Sequence, residues 1–296
     1  MAATKNLILV PVDFSEQSLI ALSQSYNLAR LTRAEVTLIH VIDDGELTSL
    51  SFFLTAKKEN KKALEKSVNE KLAKVADDAS KKSSGVKINT MVAYGKIYEE
   101  INKAAKKLKC NFVVMGTNGS TGIKRFIGSN ALRVIRDAPC PVITIKGKKH
   151  RYGCKLILLP LDLTKETRQK VNKAVDLANH FGAAIRIVSV ITTDDEFILN
   201  KLRRQMSQVK NFIDERDIVC TTEMINGDDV PESIMTYATK INADLIMIMT
   251  QDREINWTER FIGSAAQEVI NGTDIPVLTI HPGKVPAGIT LAPFSY

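Results

Sequence analysis

No run of about 18 apolar residues occurs, so the sequence offers no membrane-spanning helix. The first residues, MAATKNLILVPVDF, lack a basic region, a long apolar core and a small-residue cleavage site; no secretory leader is expected, and a cytoplasmic location is. Only four cysteines are present, Cys110, Cys140, Cys154 and Cys220, with no CxxC pair among them. That excludes a disulfide framework and predicts free thiols. The four histidines, His40, His150, His180 and His281, are scattered, and neither HExxH nor a Cys/His ligand spacing appears. The P-loop GxxxxGK[ST], a GxGxxG after the first strand and a GxSxG elbow are absent too. No catalytic set is legible.

What is there is a chain of 296 residues, 44% hydrophobic, long enough for two domains of about 150 residues each. Its net charge of +8 is uneven: residues 1–149 hold 25 Lys+Arg and 14 Asp+Glu, whereas residues 150–296 hold 16 and 19. A basic half attracts nucleic acid or membrane surfaces. Much of the excess, however, lies in residues 56–82, where acids are interleaved and Leu64, Val68, Leu72 and Val75 recur at helical spacing. That stretch reads as the solvated face of an amphipathic helix, so neither nucleic acid nor a membrane is expected as a partner.

The chain repeats itself. LILVPVDFS at 7–15 returns as LILLPLDLT at 156–164, and VTLIHVI at 36–42 as IRIVSVI at 185–191. RFIGS at 125–129 returns at 260–264, and CPVITI at 140–145 as IPVLTI at 275–280. Order is kept, so one domain has been duplicated in tandem. The offset falls from 149 to 132 at the Gly95/Gly227 match, which places an extra segment near residues 43–56 of the first copy. In that copy, Val- and Ile-rich runs predict strands at 6–12, 35–42, 86–92, 111–115 and 142–145, with helices at 16–31, 57–81, 97–108 and 130–136. Runs without alternation suit strands buried on both faces. The expectation is α/β: two doubly wound domains, 1–148 and 152–282, each a parallel sheet with helices on both faces, followed by a tail at 283–296.

In such sheets ligands sit beyond the carboxyl ends of the strands. Strand one ends in Pro11-Val12-Asp13, strand two in Val41, and strand four in Met115 before the loop GTNGSTGIKRFIGSN. Gly116, Gly119 and Gly122 allow close backbone approach, and successive exposed amides make an anion nest. Gly128-Ser129 then opens a helix whose free amides and positive end suit phosphate. Ser120, Thr121 and Ser129 add hydroxyls. Asp13, in Asp13-Phe-Ser-Glu16, reads as a helix cap.

In combination, MGTNG followed by GS, PVDFS at strand one and PVITI at strand five resemble the universal stress protein family, whose nucleotide-binding members carry G-x2-G-x9-G-[ST] after strand four. The resemblance spans both copies. It implies five-stranded sheets of order 3-2-1-4-5, paired through their fifth strands, here within one chain, with a homo-oligomer as a further option. It implies that Pro11, Val12, Asp13 and Ser15 lie near ribose and base, that the Val41 backbone holds adenine, and that Met115, Gly116, Asn118, Gly119, Gly128, Ser129 and Asn130 hold ribose and phosphates. Two departures stand out: eight residues, not nine, separate Gly119 from Gly128, and Asn118 stands where His is frequent.

In the second copy Thr250 and Arg253 are read as replacing the first two glycines, flanked by Asp252 and Glu254. Side chains there obstruct backbone approach and the acids repel phosphate. Ser264-Ala-Ala-Gln267 reads as a capping box. Asp162 remains, and Trp257 is placed to cover an empty pocket. The function expected is a stress-response protein binding an adenine nucleotide in its first half, with ATP foremost, ADP and AMP open, and Mg2+ as an optional companion. It would act as a nucleotide-dependent regulatory or interaction module. The alternatives are a slow ATPase and a nucleotide-independent scaffold.

Overall fold

A computed structural model describes residues 6–43, 57–117, 128–148, 153–162, 167–250 and 264–281. The inserted segment 44–56, Asn118 and Gly119 with the rest of the glycine loop, residues 251–263 including Arg253 and Trp257, and the tail from 282 lie outside them.

The first half runs β1 (Leu7–Pro11), α1 (Glu16–Thr32), β2 (Glu35–Ile42), α2 (Lys57–Lys82), β3 (Ile88–Tyr94), α3 (Ile97–Lys107), β4 (Phe112–Gly116), α4 (Ser129–Asp137) and β5 (Val142–Ile145). The second half repeats it: β6 (Leu156–Pro160), α5 (Thr167–Phe181), β7 (Ala184–Ile191), α6 (Glu196–Asp214), β8 (Cys220–Asn226), α7 (Val230–Lys240), β9 (Leu245–Met249), α8 (Ser264–Gly272) and β10 (Val277–Ile280).

The strands form because their residues are apolar on both faces. Ile8 and Leu9, neighbours pointing oppositely from β1, are each fully buried, as are Ile157 and Leu158 of β6. One face is covered by α1, α2, α5 and α6, through residues such as Leu22, Leu72, Val175 and Met206. The other is covered by α3, α4, α7 and α8, through Ile101, Ile135, Ile234 and Ile270. Full burial of each such side chain is worth about 1.5–3 kcal/mol.

Among the described residues ten strands form one sheet in the order β3-β2-β1-β4-β5-β10-β9-β6-β7-β8. Each half is parallel with order 3-2-1-4-5, and the halves join where β5 meets β10 antiparallel, with Ile143 opposite Leu278. The antiparallel join points the two halves in opposite directions, so the strand ends of one half face the same way as the strand starts of the other.

The third strand differs from its expected span of 86–92. Gly85 turns at φ +88° and the Val86 carbonyl still accepts from Ser83 Oγ, so pairing starts only at Ile88, opposite Val36. It runs on to Tyr94 because β2 extends to Ile42, its partner there.

Candidate functional site

The chain leaves β1 toward β2 and β3 and later returns to β4 and β5 on the other side, which opens a crevice at the carboxyl ends of β1 and β4. Pro11 is the last β1 residue paired with β2, opposite Ile39. Beyond it the Val12 amide donates to Ile39 O at 2.8 Å, and the Val12 carbonyl accepts from His40 Nδ1 at 2.7 Å. Backbone groups of successive strand residues point to alternate neighbours. Ile39 faces β1, and Ile42 faces β3, where its carbonyl accepts from Gly95 N at 3.1 Å. Val41 therefore turns its amide and carbonyl toward the β1 side, past the point where β1 has ended. The sequence identified Val41; it gave no sign of His40, whose ring also lies 4.8 Å from that of Phe14.

Asp13 is exposed on the turn into α1. Its Oδ1 accepts from Ser15 N at 3.0 Å and from Ser15 Oγ at 2.5 Å. The expectation that Asp13 caps α1 is corrected: Ser15 is the N-cap, its Oγ accepting from Ser18 N at 3.2 Å. Asp13 braces the cap from outside because Phe14, at φ +63°, turns the chain sharply between them. A bulky residue in that region is strained and holds only where surroundings enforce it.

Gly116 ends β4 opposite Ile145. Its lack of a side chain has a cause within the fold: a β-carbon there would lie 2.8 Å from Gln17 Cγ and 3.0 Å from Gln17 O. Gln17 Nε2 in turn donates to Ile145 O at 2.7 Å. Gly116 is thus a packing glycine as well as the root of the loop. Met115 is buried in the core on the α3 and α4 face, beneath the crevice rather than lining it. The loop closes at its base, where Gly128 N donates to Thr117 O at 2.8 Å.

Gly128 differs from Gly116. Its φ of −63° and ψ of 148° suit any residue, and an added β-carbon would meet only Thr117 O, at an ordinary 3.6 Å. The N-cap residue Gly128 has no side chain with which to cap α4, and among the described residues none takes that place at the first amides of the helix, at exposed Ser129 and half-buried Asn130. The structure brings Pro11, Val12, Asp13, Ser15, Val41, Gly116, Gly128, Ser129 and Asn130 to one edge; Asn118 and Gly119 lie outside the described residues.

The second half repeats the frame. Leu161 N donates to Val188 O at 2.8 Å, and Ser189 Oγ donates to Leu161 O at 2.9 Å, standing where His40 stands in the first half. Its loop root changes. Gly116 pairs with Ile145 and Met249 with Ile280, while Thr117 N and Thr250 N donate to those same two carbonyls. Met249, not Thr250, therefore holds the place of Gly116; Thr250 matches Thr117. Thr250 Oγ1 lies 2.8 Å from His281 Nδ1, and His281 Nε2 bonds Ile135 O of α4, tying this root to the first half. The capping box is also corrected: Ser264 is already helical, as Ser129 is behind Gly128. Exposed Asp194, Asp195, Asp228 and Asp229 crowd the strand ends of this half. Asp195 and Asp229 cap α6 and α7 with their carboxylates. Among the described residues no group of three or more His, Cys, Asp or Glu side chains is placed to hold a metal ion.

Two universal stress proteins of Methanocaldococcus jannaschii are similar in sequence. MJ0531 is 37% identical over 152 residues, covering 48% of this chain and 82% of its own. MJ0577 is 31% identical over 160 residues, covering 50% and 99%. The crystal structure of a universal stress protein from Archaeoglobus fulgidus superposes with a TM-score of 0.74 over 95% of this chain and 98% of its own, at 20% identity, which speaks to the fold. No helix among the described residues is long and apolar enough to cross a membrane. The family model of the universal stress proteins matches residues 6–146 and again 154–281, and the chain belongs to that family as a tandem member.

Proposed function

We propose that the first half binds an adenine nucleotide, ATP foremost, in the crevice between Val12, Val41 and the start of α4, and that the second half is nucleotide-free. The observation that carries this reading is the uncapped helix start at Gly128: open amides and a positive helix end lie across the crevice from the outward-turned main chain of Val41. A purine needs main-chain donors and acceptors at one end, and phosphates need amides at the other. Asp13, exposed between them, suits a ribose hydroxyl. In the second half Met249 fills the place of Gly116, and the strand ends carry Asp194, Asp195, Asp228 and Asp229, which disfavour phosphate. With no catalytic set legible, the nucleotide acts as a regulatory ligand, with Mg2+ as an accompanying ion, and the output is a change in partner binding.

Calorimetric titration of the full chain with ATP tests the reading: one site per chain is expected. Gly128→Asp places a carboxylate at the helix start without a clash and should abolish that site, while Asp228→Asn should leave the stoichiometry at one. Two sites, or undiminished binding by Gly128→Asp, would overturn it.

A further inference from the structure

The antiparallel join of β5 and β10 sets the strand starts of the first half and the strand ends of the second along one long edge of the molecule. At the first end of that edge α1, α2 and α3 finish, and exposed Arg30, Arg33, Lys82, Lys106, Lys107 and Lys109 cluster there. None of the six is in an ion pair with another described residue, although Glu35 nearby is held by Lys87 at 3.5 Å. Lysines at helix ends are common. The duplication supplies the comparison that makes these notable. Arg33 and Gly182 share a left-handed backbone, as do Lys109 and Asn242. On the same register Arg30, Lys82 and Lys106 correspond to Asn179, Asp214 and Thr239, so five of the six cations have no charged or only an acidic counterpart in the second half.

At the other end of the same edge α6 and α7 begin, with exposed Asp194, Asp195, Glu196, Asp228, Asp229 and Glu232. Arg203 offsets Glu196, at 3.5 Å. Amid these acids stand Phe197, 76% exposed, Ile198, 38%, and Val230, 37%. They are three of the five exposed large hydrophobics among the described residues. An exposed aromatic ringed by charge is the composition of a protein interface, not of a solvated face or a phosphate site.

The basic pole spans the strand starts of β3, β2 and β4, and the acidic pole the strand ends of β7 and β8, at least five strand spacings or about 24 Å away, beyond a Debye length of about 8 Å, so they do not neutralise each other within the molecule. A second copy turned by a two-fold axis midway between the poles presents its acidic pole to the basic one and its basic pole to the acidic one. We infer that this edge is a self-complementary docking surface for a second copy of the chain, in which Phe197 packs on the aliphatic stems and cationic heads of the partner's basic pole. Both contacts form at once, and neither depends on nucleotide.

Sedimentation velocity on the full chain tests this at about 50 mM and about 1 M salt, where screening differs most. A dimer at low salt that dissociates at high salt is expected. Lys106→Glu with Lys109→Glu, and separately Asp194→Lys with Asp228→Lys, should each give monomers with unchanged circular dichroism, because none of these residues is buried or caps a helix. Mixing the two variant proteins should recover part of the dimer, since one of the two contacts in the mixed pair joins an intact basic pole to an intact acidic one. Phe197→Ala should weaken the dimer about tenfold or more. A monomer at low salt, or a dimer indifferent to both charge reversals, overturns the inference. So does a monomer whose basic pole instead binds a single-stranded oligonucleotide and loses it on Lys106→Glu with Lys109→Glu.

Discussion

Gln17, in the first turn of α1, lies across the α-carbon of Gly116, 99 residues later in the chain, leaving no room for a side chain. Gly116→Ala would set its methyl 2.8 Å from Gln17 Cγ and 3.0 Å from Gln17 O. Overpacking of this kind costs about 1–3 kcal/mol, to be read as a lower urea midpoint at unchanged slope. Adding Gln17→Ala removes Cγ but not the backbone oxygen, so it should restore only part of the loss. Full restoration would mean that the backbone contact is slack.

Gly128 makes the opposite prediction. Its backbone angles and free surroundings accept a β-carbon. Gly128→Asp supplies the missing cap and should hold or raise stability by about a few tenths of a kcal/mol while ATP affinity collapses. Thermal melts beside calorimetry separate the two effects. Loss of both stability and binding would show that the glycine is structural.

His40 and Ser189 serve the same carbonyl position in the two halves, at 2.7 Å from Val12 O and 2.9 Å from Leu161 O. His40→Ser should therefore be milder than His40→Ala, which leaves the Val12 carbonyl without its side-chain donor at a cost of about 1 kcal/mol. Serine does not replace the ring contact to Phe14. Guanidinium unfolding of the three proteins should rank them wild type, Ser, Ala.

Burial pushes the Cys110 thiol up to about 11 and the Cys140 and Cys220 thiols up to about 12, from a usual 9.0. A raised thiol stays protonated, and the thiolate is the nucleophile. These three should resist iodoacetamide at pH 8 in the native protein and react on unfolding, as mass spectrometry would show. The same shifts have a stability consequence. Above pH 9 the unfolded thiols lose protons that the folded ones keep, so stability is intact below 9 and falls as pH rises toward 12. Cys→Ala variants should flatten that alkaline decline.

The sequence by itself determined the duplication, the two α/β halves, the first-half elements and the edge that carries the candidate site. Those features rest on local patterns: apolar runs buried on both faces, helical spacing, and a glycine-rich turn after a strand. Even there the third strand moved by two residues, because the length of β2, a neighbour in space, decides where β3 pairs. Only the tertiary structure decided that Val41 faces the crevice, since that depends on which neighbour each backbone group serves. Only it aligned Met249 with Gly116: apolar runs such as VVMG and IMIMT slide by one without penalty in sequence, whereas ladder register fixes them. The role of Gln17 at Gly116 and of His40 at Val12 likewise needed packing between distant elements. The charged edge arises in the same way, because the two halves carry their charges in the sequence but the antiparallel join of β5 and β10 sets those charges along one edge of the molecule.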